Sequence, residues 1–175
     1  GASAILEMAH VIQTLHALND FERGVTVNVG TIEGGMRTNI VAPESRITVD
    51  VRVPTREAQR TVEATLRSLT PSVDGVSLEV RGAMDRPPME RTPRNQALWN
   101  VCRHLGQSLG MDLQEGLSGG GSDGNFTSLH TATLDGLGAV GDGAHAYHEF
   151  VQIGPTLERC ALLALLLLAP PLEAV

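Results

Sequence analysis

At 175 residues, with 42% apolar and 19% charged side chains, the chain has the make-up of a soluble globular protein of one ordinary domain or two small ones. A formal net charge of -7 and the lack of any dense basic run argue against a nucleic-acid partner, which demands clustered Lys and Arg. Phe21, Trp99, Phe126, Tyr147 and Phe150 are the whole aromatic complement, so the core is expected to be aliphatic.

In chain order, Ile5, Met8, Ile12, Leu15 and Leu18 recur at helical spacing and predict an amphipathic helix over about residues 3–18, stopped by Asn19 and Asp20. Val25, Val27 and Val29 alternate with polar or small neighbours, which is strand spacing, and Gly34-Gly35 breaks the run. Ile47, Val49, Val51 and Val53 form a second alternating strand that Pro54 ends. Thr55 then caps a helix to about residue 69, with Glu57 in its first turn. Val76, Leu78 and Val80 alternate as a third strand.

That α-β-β-α-β order is the ferredoxin-like βαββαβ sandwich without its first strand, an α/β fold of the α+β kind. From Ala83 the composition shifts, and Arg86-Pro87-Pro88 with Arg91-Thr92-Pro93 reads as a linker. The expected domains are therefore residues 1–82 and 83–175.

Beyond the linker, Leu98, Cys102, Leu105 and Leu109 predict a helix over about residues 95–109 that Gly110 ends. A Gly/Ser loop follows at residues 117–124, then a short strand at 133–137, a flexible turn at 138–143, and a last helix opened by Pro155. The apolar run at residues 160–169 falls short of the ~20 residues that span a bilayer and predicts a buried helix, so no membrane partner is expected. Cys102 and Cys160 are isolated thiols that suit a reducing compartment. The opening residues lack the features of a secretory signal, and a cytoplasmic location is expected.

Two stretches carry candidate chemistry. In Gly141-Asp142-Gly143-Ala144-His145-Ala146-Tyr147-His148-Glu149-Phe150 a Gly-rich turn delivers an imidazole flanked by carboxylates. Asp142 or Glu149 could fix the tautomer of His145, as around a metal ligand. Spacing alone leaves metal ligand and structural histidine both open. In Ser118-Gly119-Gly120-Gly121-Ser122-Asp123-Gly124 the glycines satisfy G-x-G-x-x-G, but only one short weak strand precedes the loop, against the βαβ unit that a dinucleotide site needs. A loop whose N–H groups face an anion and a purely structural turn remain. Ser122 lacks the G-x-S-x-G setting of a nucleophile, and Cys102 reads as core.

Residues 119–126 (GGGSDGNF), 133–138 (TLDGLG) and 141–145 (GDGAH), with Gly30-Thr31-Ile32, the run 38–43 (TNIVAP) and Asp50-Val51-Arg52, closely resemble the M20 zinc metallopeptidases. The nearest branch looks like the glutamate carboxypeptidase and acetylornithine deacetylase group. The resemblance implies a ferredoxin-like lid, or dimerisation domain, at residues 1–82 and the C-terminal part of an α/β catalytic domain at 83–175. It implies that His145 is a zinc ligand and that Asn39 and Arg52 grip substrate, Arg52 through a carboxylate. Gly119, Gly120, Gly121 and Ser122 would lie against the substrate carboxylate.

The implied activity is hydrolysis of an amide bond in a small peptide or N-acyl amino acid, releasing an amino acid such as glutamate. Two Zn2+ ions would serve each site, with Co2+ or Mn2+ as possible replacements. The implied partner is a second copy, paired through the lid. The family's other metal ligands and its general base have no counterpart in these residues, so the isolated chain is expected to be inactive. The alternative reading is an inert fragment whose working part is the pairing module, with residues 25–29 and the first helix as its contact surface.

Overall fold

The computed structural model describes residues 1–172. The chain divides into two compact units, Gly1–Glu90 and Arg91–Val175. Both are mixed or helical assemblies with small antiparallel sheets, so the fold is α/β as expected.

The first unit opens with helix α1, Ala4–His16, whose first turn is capped by the Ser3 hydroxyl accepting from the Leu6 N–H at 3.3 Å. Strand β1, Thr26–Gly34, pairs antiparallel with β2, Ser45–Arg52. A bulge between Val29 and Thr31 shifts the register by one and carries β1 on to Gly34, further than its valine alternation predicts. Helix α2, Arg56–Ser68, begins at Thr55, whose hydroxyl accepts from the Ala58 N–H at 3.1 Å. Such a cap stabilises a helix by about 1 kcal/mol.

Met8, Val11 and Leu15 of α1 meet Val25 and Val27 of the hairpin and Val62 of α2 in one aliphatic core. Val49, Val51 and Leu78 pack on its margin. Valine and isoleucine serve the strands here because β-branched side chains fit a pleated surface with one face covered.

The strand expected at residues 76–80 does not form as such. Val76 and Leu78 are half-buried and alternate with exposed neighbours, yet their backbone enters no ladder. In the split βαβ arrangement the last strand pairs with the first, and no such strand occurs among the described residues. Only β1 pairs with β2, so the second edge of β2 is open among the described residues.

In the second unit α3, Pro93–Ser108, starts at Thr92, with Pro93 at its first position. It packs against α5, Ile153–Leu168, through Cys102, Leu162 and Leu166, with Leu113 completing the core. Cys102 and Leu162 are almost wholly buried, and burial pushes the Cys102 thiol up despite Arg159 nearby. Between them lie a single turn, α4 at Gly124–Thr127, and a short hairpin of β3, Gly141–Asp142, with β4, Phe150–Val151. The strand expected at 133–137 forms no ladder among the described residues, and Gly136 within it turns at φ +75°.

The C-terminal helix is less buried than its composition predicts. Only Leu162 is fully covered, while Ile153, Leu157, Leu167 and Leu168 are exposed within the described chain, because α3 covers one side of α5 only. No helix among the described residues is long and apolar enough to cross a membrane.

Candidate functional site

His145 sits at the tip of the β3–β4 hairpin. Gly141 pairs with Val151 and Asp142 with Phe150, and the Gln152 N–H donates to the Val140 carbonyl at 2.7 Å. A side chain at Gly141 would collide with the Phe150 carbonyl, so glycine is what lets the two arms close. The Gly143 carbonyl accepts from the Ala146 N–H at 2.8 Å, and Gly143 itself adopts φ +73°.

His145 has φ +67°, the left-handed region, and no other non-glycine residue among the described ones does so. That conformation is sterically costly for a residue with a Cβ and recurs where a site dictates side-chain direction. The imidazole is solvent-exposed. His148 approaches the turn from the other arm: a Cβ at Gly143 would lie 3.1 Å from its Nε2.

The expected carboxylate support for His145 is absent. Asp142 Oδ1 instead accepts from the Gly143 N–H at 2.7 Å, closing the tight turn beside it, and neither Asp142 nor Glu149 bonds the His145 ring among the described residues. No three His, Cys, Asp or Glu side chains among the described residues converge as a metal site. His145 alone does not make a zinc centre, which takes at least three protein ligands.

The glycine loop is the second element. Ser122 is its node. The Ser122 N–H donates to Asn125 Oδ1 at 2.8 Å, the Ser122 hydroxyl donates to Asp135 Oδ2 at 2.6 Å, and the same oxygen accepts from the Gly124 N–H at 3.0 Å. The Gly120 N–H donates to the Ser118 hydroxyl at 3.2 Å. The Gly119 and Gly121 amides have no partner among the described residues, so they are the groups that could face an anion. Sequence spacing did not single out Asp135, although an Asp-Gly pair in a turn is the signal that could have done so.

Asn39 and Arg52 belong to the first unit. Asn39 is exposed in the loop between β1 and β2, a loop held at its base by the Gly35 N–H donating to the Glu44 carbonyl and the Ala4 N–H donating to the Ala42 carbonyl. Arg52 lies at the far end of β2, opposite Thr26. At about 3.3 Å per residue, β2 separates the two ends by about 23 Å, so the hairpin does not bring these two side chains together. Arg52 Nε donates to Asp50 Oδ1 at 2.8 Å, with both side chains about half exposed. Its terminal nitrogens are left for another acceptor.

One titratable cluster in this unit lies outside the sequence expectations. Glu7, 3% exposed, accepts through Oε2 from the Ser72 N–H (2.8 Å), the Ser72 hydroxyl (3.0 Å) and the Val73 N–H (2.7 Å). His10 Nδ1 lies 2.8 Å from the same hydroxyl. A carboxylate on the apolar face of a helix is the signal for such an anchor, because a buried charge demands donors. The cluster pins the loop after α2 to α1. It does not form a nucleophile, since the Ser72 hydroxyl proton goes to Glu7 and not to the histidine.

No curated protein matches the chain. Residues 1–74, which hold α1, the β1–β2 hairpin, α2 and the loop that Glu7 anchors, match the family model of the M20 peptidase dimerisation domain, and this match supports an M20 peptidase lineage and homodimer formation.

Proposed function

We propose that the chain carries the pairing lid and the C-terminal catalytic portion of an M20-type zinc metallopeptidase that hydrolyses an amide bond and releases an amino acid such as glutamate. The observation that carries this reading is the match of residues 1–74 to the peptidase dimerisation domain. Two features of the second unit support it: the backbone conformation that presents His145, and the Gly119 and Gly121 amides, which have no partner among the described residues. In this reading His145 would be one zinc ligand, and the remaining ligands and the general base would come from outside the described residues. Zinc would supply Lewis-acid chemistry at the scissile carbonyl. The chain's own groups would orient substrate: Arg52 through its terminal nitrogens on a carboxylate, Asn39 by hydrogen bonding, and the loop by backbone N–H groups.

The test is a titration of the 175-residue chain with Co2+, read residue by residue as paramagnetic broadening in NMR spectra. Broadening centred on residues 143–148 that vanishes in His145→Ala supports the ligand role. Broadening centred elsewhere, or unchanged in the variant, sinks it.

A second reading, a pairing module without catalysis of its own, is favoured by the exposed edge of β1. The edge groups of Val25 and Val27 are already used by Asp20 and Asn19, so the contact expected at residues 25–29 is mostly closed. Beyond the bulge the outward alternation passes to Ile32 and Gly34, whose edge groups, like those of Val29, have no partner among the described residues. Ile32 is also 58% exposed. A second copy would add its strand there.

A further inference from the structure

We infer that Asp135 is the positioning residue of the Gly119–Ser122 loop, holding Ser122 so that the Gly119 and Gly121 amides keep a fixed aim at a bound carboxylate. The inference rests on the proposed role of that loop in substrate binding and adds the residue that gives the loop its shape.

Three glycines in a row give residues 119–121 the largest backbone freedom a chain can have, and ordering them costs more conformational entropy than ordering any other residue type. The loop's own bonds are too few to offset this. The Gly120 amide reaches the Ser118 hydroxyl, and the other two glycine amides have no internal partner among the described residues. What fixes the end of the run is Ser122, tied at both its nitrogen and its hydroxyl.

The link to Asp135 is the strongest of these ties by chemistry and length. An O–H donating to a carboxylate at 2.6 Å is a charge-assisted bond, roughly twice as strong as a neutral one. It is also the one that leaves the local sequence, joining residues thirteen apart, whereas Asn125 and Gly124 lie within the same turn.

Asp135 is itself held. Its Oδ1 accepts from the Gly136 N–H at 2.8 Å, and Gly136 has φ +75°, a turn that needs glycine. Two residues earlier, the Thr133 N–H donates to Oδ1 of the buried Asn95 on α3 at 2.9 Å. The chain of support runs from a core helix through residues 133–135 to Ser122, and so to the loop. Because the Ser122 hydroxyl donates its proton to Asp135, it has none to offer a ligand, and recognition falls to the backbone amides.

The experiment compares wild type with Asp135→Ala, Asp135→Asn and Ser122→Ala by residue-resolved amide exchange, followed by titration with N-acetyl-L-glutamate. In Asp135→Ala the Ser122 and Gly124 amides should exchange about tenfold faster, while Thr133 and the α3 amides keep their wild-type rates. Asp135→Asn retains an acceptor oxygen and should restore most of the protection. Ser122→Ala leaves the Asp135–Gly136 turn intact and should repeat the effect at Gly124. Unchanged exchange in Asp135→Ala, or equal acceleration at Thr133 and along α3, would overturn the inference, the second because it marks general loosening.

In the titration, wild-type shifts at Gly119 and Gly121 whose affinity falls about tenfold in Asp135→Ala support the inference and the loop's substrate role together. If wild type shows no shifts there, the substrate role fails, and the exchange rates still decide whether Asp135 positions the loop.

Discussion

Asn19 pairs with Val27 as a neighbouring strand would: its side-chain oxygen accepts from the Val27 N–H at 2.9 Å and its amide nitrogen donates to the Val27 carbonyl at 3.1 Å. The same nitrogen caps the end of α1 by donating to the His16 carbonyl at 2.9 Å. One side chain thus closes a helix and covers the first outward-facing position of β1. Asn19→Ala leaves part-buried backbone groups of Val27 unmatched and should lower the unfolding free energy by about 1–3 kcal/mol in urea denaturation. An unchanged midpoint would show that water replaces the side chain without loss.

The Glu7 anchor sets an acid limit on the first unit. Burial pushes its carboxyl up, but the backbone N–H groups of Val73 and Ser72, the Ser72 hydroxyl and the nearby His10 outweigh that, and its pKa lies below the ordinary carboxylate value. A folded-state value below the unfolded one means the stabilisation is present above the unfolded pKa and is lost as pH falls through the folded one. Wild type should therefore lose stability as pH falls below the unfolded glutamate value of about 4.3. Glu7→Gln should be less stable at neutral pH and show a shallower acid slope; equal slopes would remove Glu7 as the cause.

Much of the first unit is legible in its sequence because short-range rules govern it. Thr55 announces α2, and the valines of β1 and β2 alternate as a half-covered hairpin must. The rotation of α1 is not legible in the same way. Ile5, which fits the helical pattern, is 44% exposed, while Val11 and the charged Glu7 are buried, since the face that packs is decided by where the hairpin and the Ser72 loop lie. The segment at 76–80 has strand periodicity without a ladder, because a strand also needs a partner edge that local pattern cannot supply.

In the candidate site, the glycines around His145 mark a turn, but its hairpin closure depends on Gly141 meeting Phe150 across the pair. The Ser122–Asp135 link joins separate loops and leaves no periodic trace. Arg91 with Glu115 is a further example, a two-pronged ion pair across twenty-four residues.

Gly106 is a glycine for packing. It lies inside α3, where Ala normally stabilises a helix by up to about 1 kcal/mol. Here a Cβ would sit 2.5 Å from Leu113 Cδ1 and 2.9 Å from its Cγ, and Leu113 belongs to the core of the second unit. Gly106→Ala should therefore destabilise by about 1–3 kcal/mol in thermal or chemical unfolding. A gain in stability would mean that Leu113 can repack freely.

At His145 the backbone and the side chain make opposite demands. Glycine accepts φ +67° without strain, so His145→Gly should leave stability unchanged or raise it by up to about 1 kcal/mol, while His145→Val should lower it. Thermal melts of the two variants check the order, and a His145→Gly less stable than His145→Val would contradict the strain.

Pairing through residues 1–74, which match the M20 peptidase dimerisation domain, is read out by sedimentation equilibrium over a range of concentrations. The expected result is a species of twice the 18.6 kDa chain mass that Ile32→Lys shifts to monomer, because a charge at the open edge of β1 obstructs strand addition. A chain that stays monomeric at every concentration, or a dimer indifferent to Ile32→Lys, would contradict it.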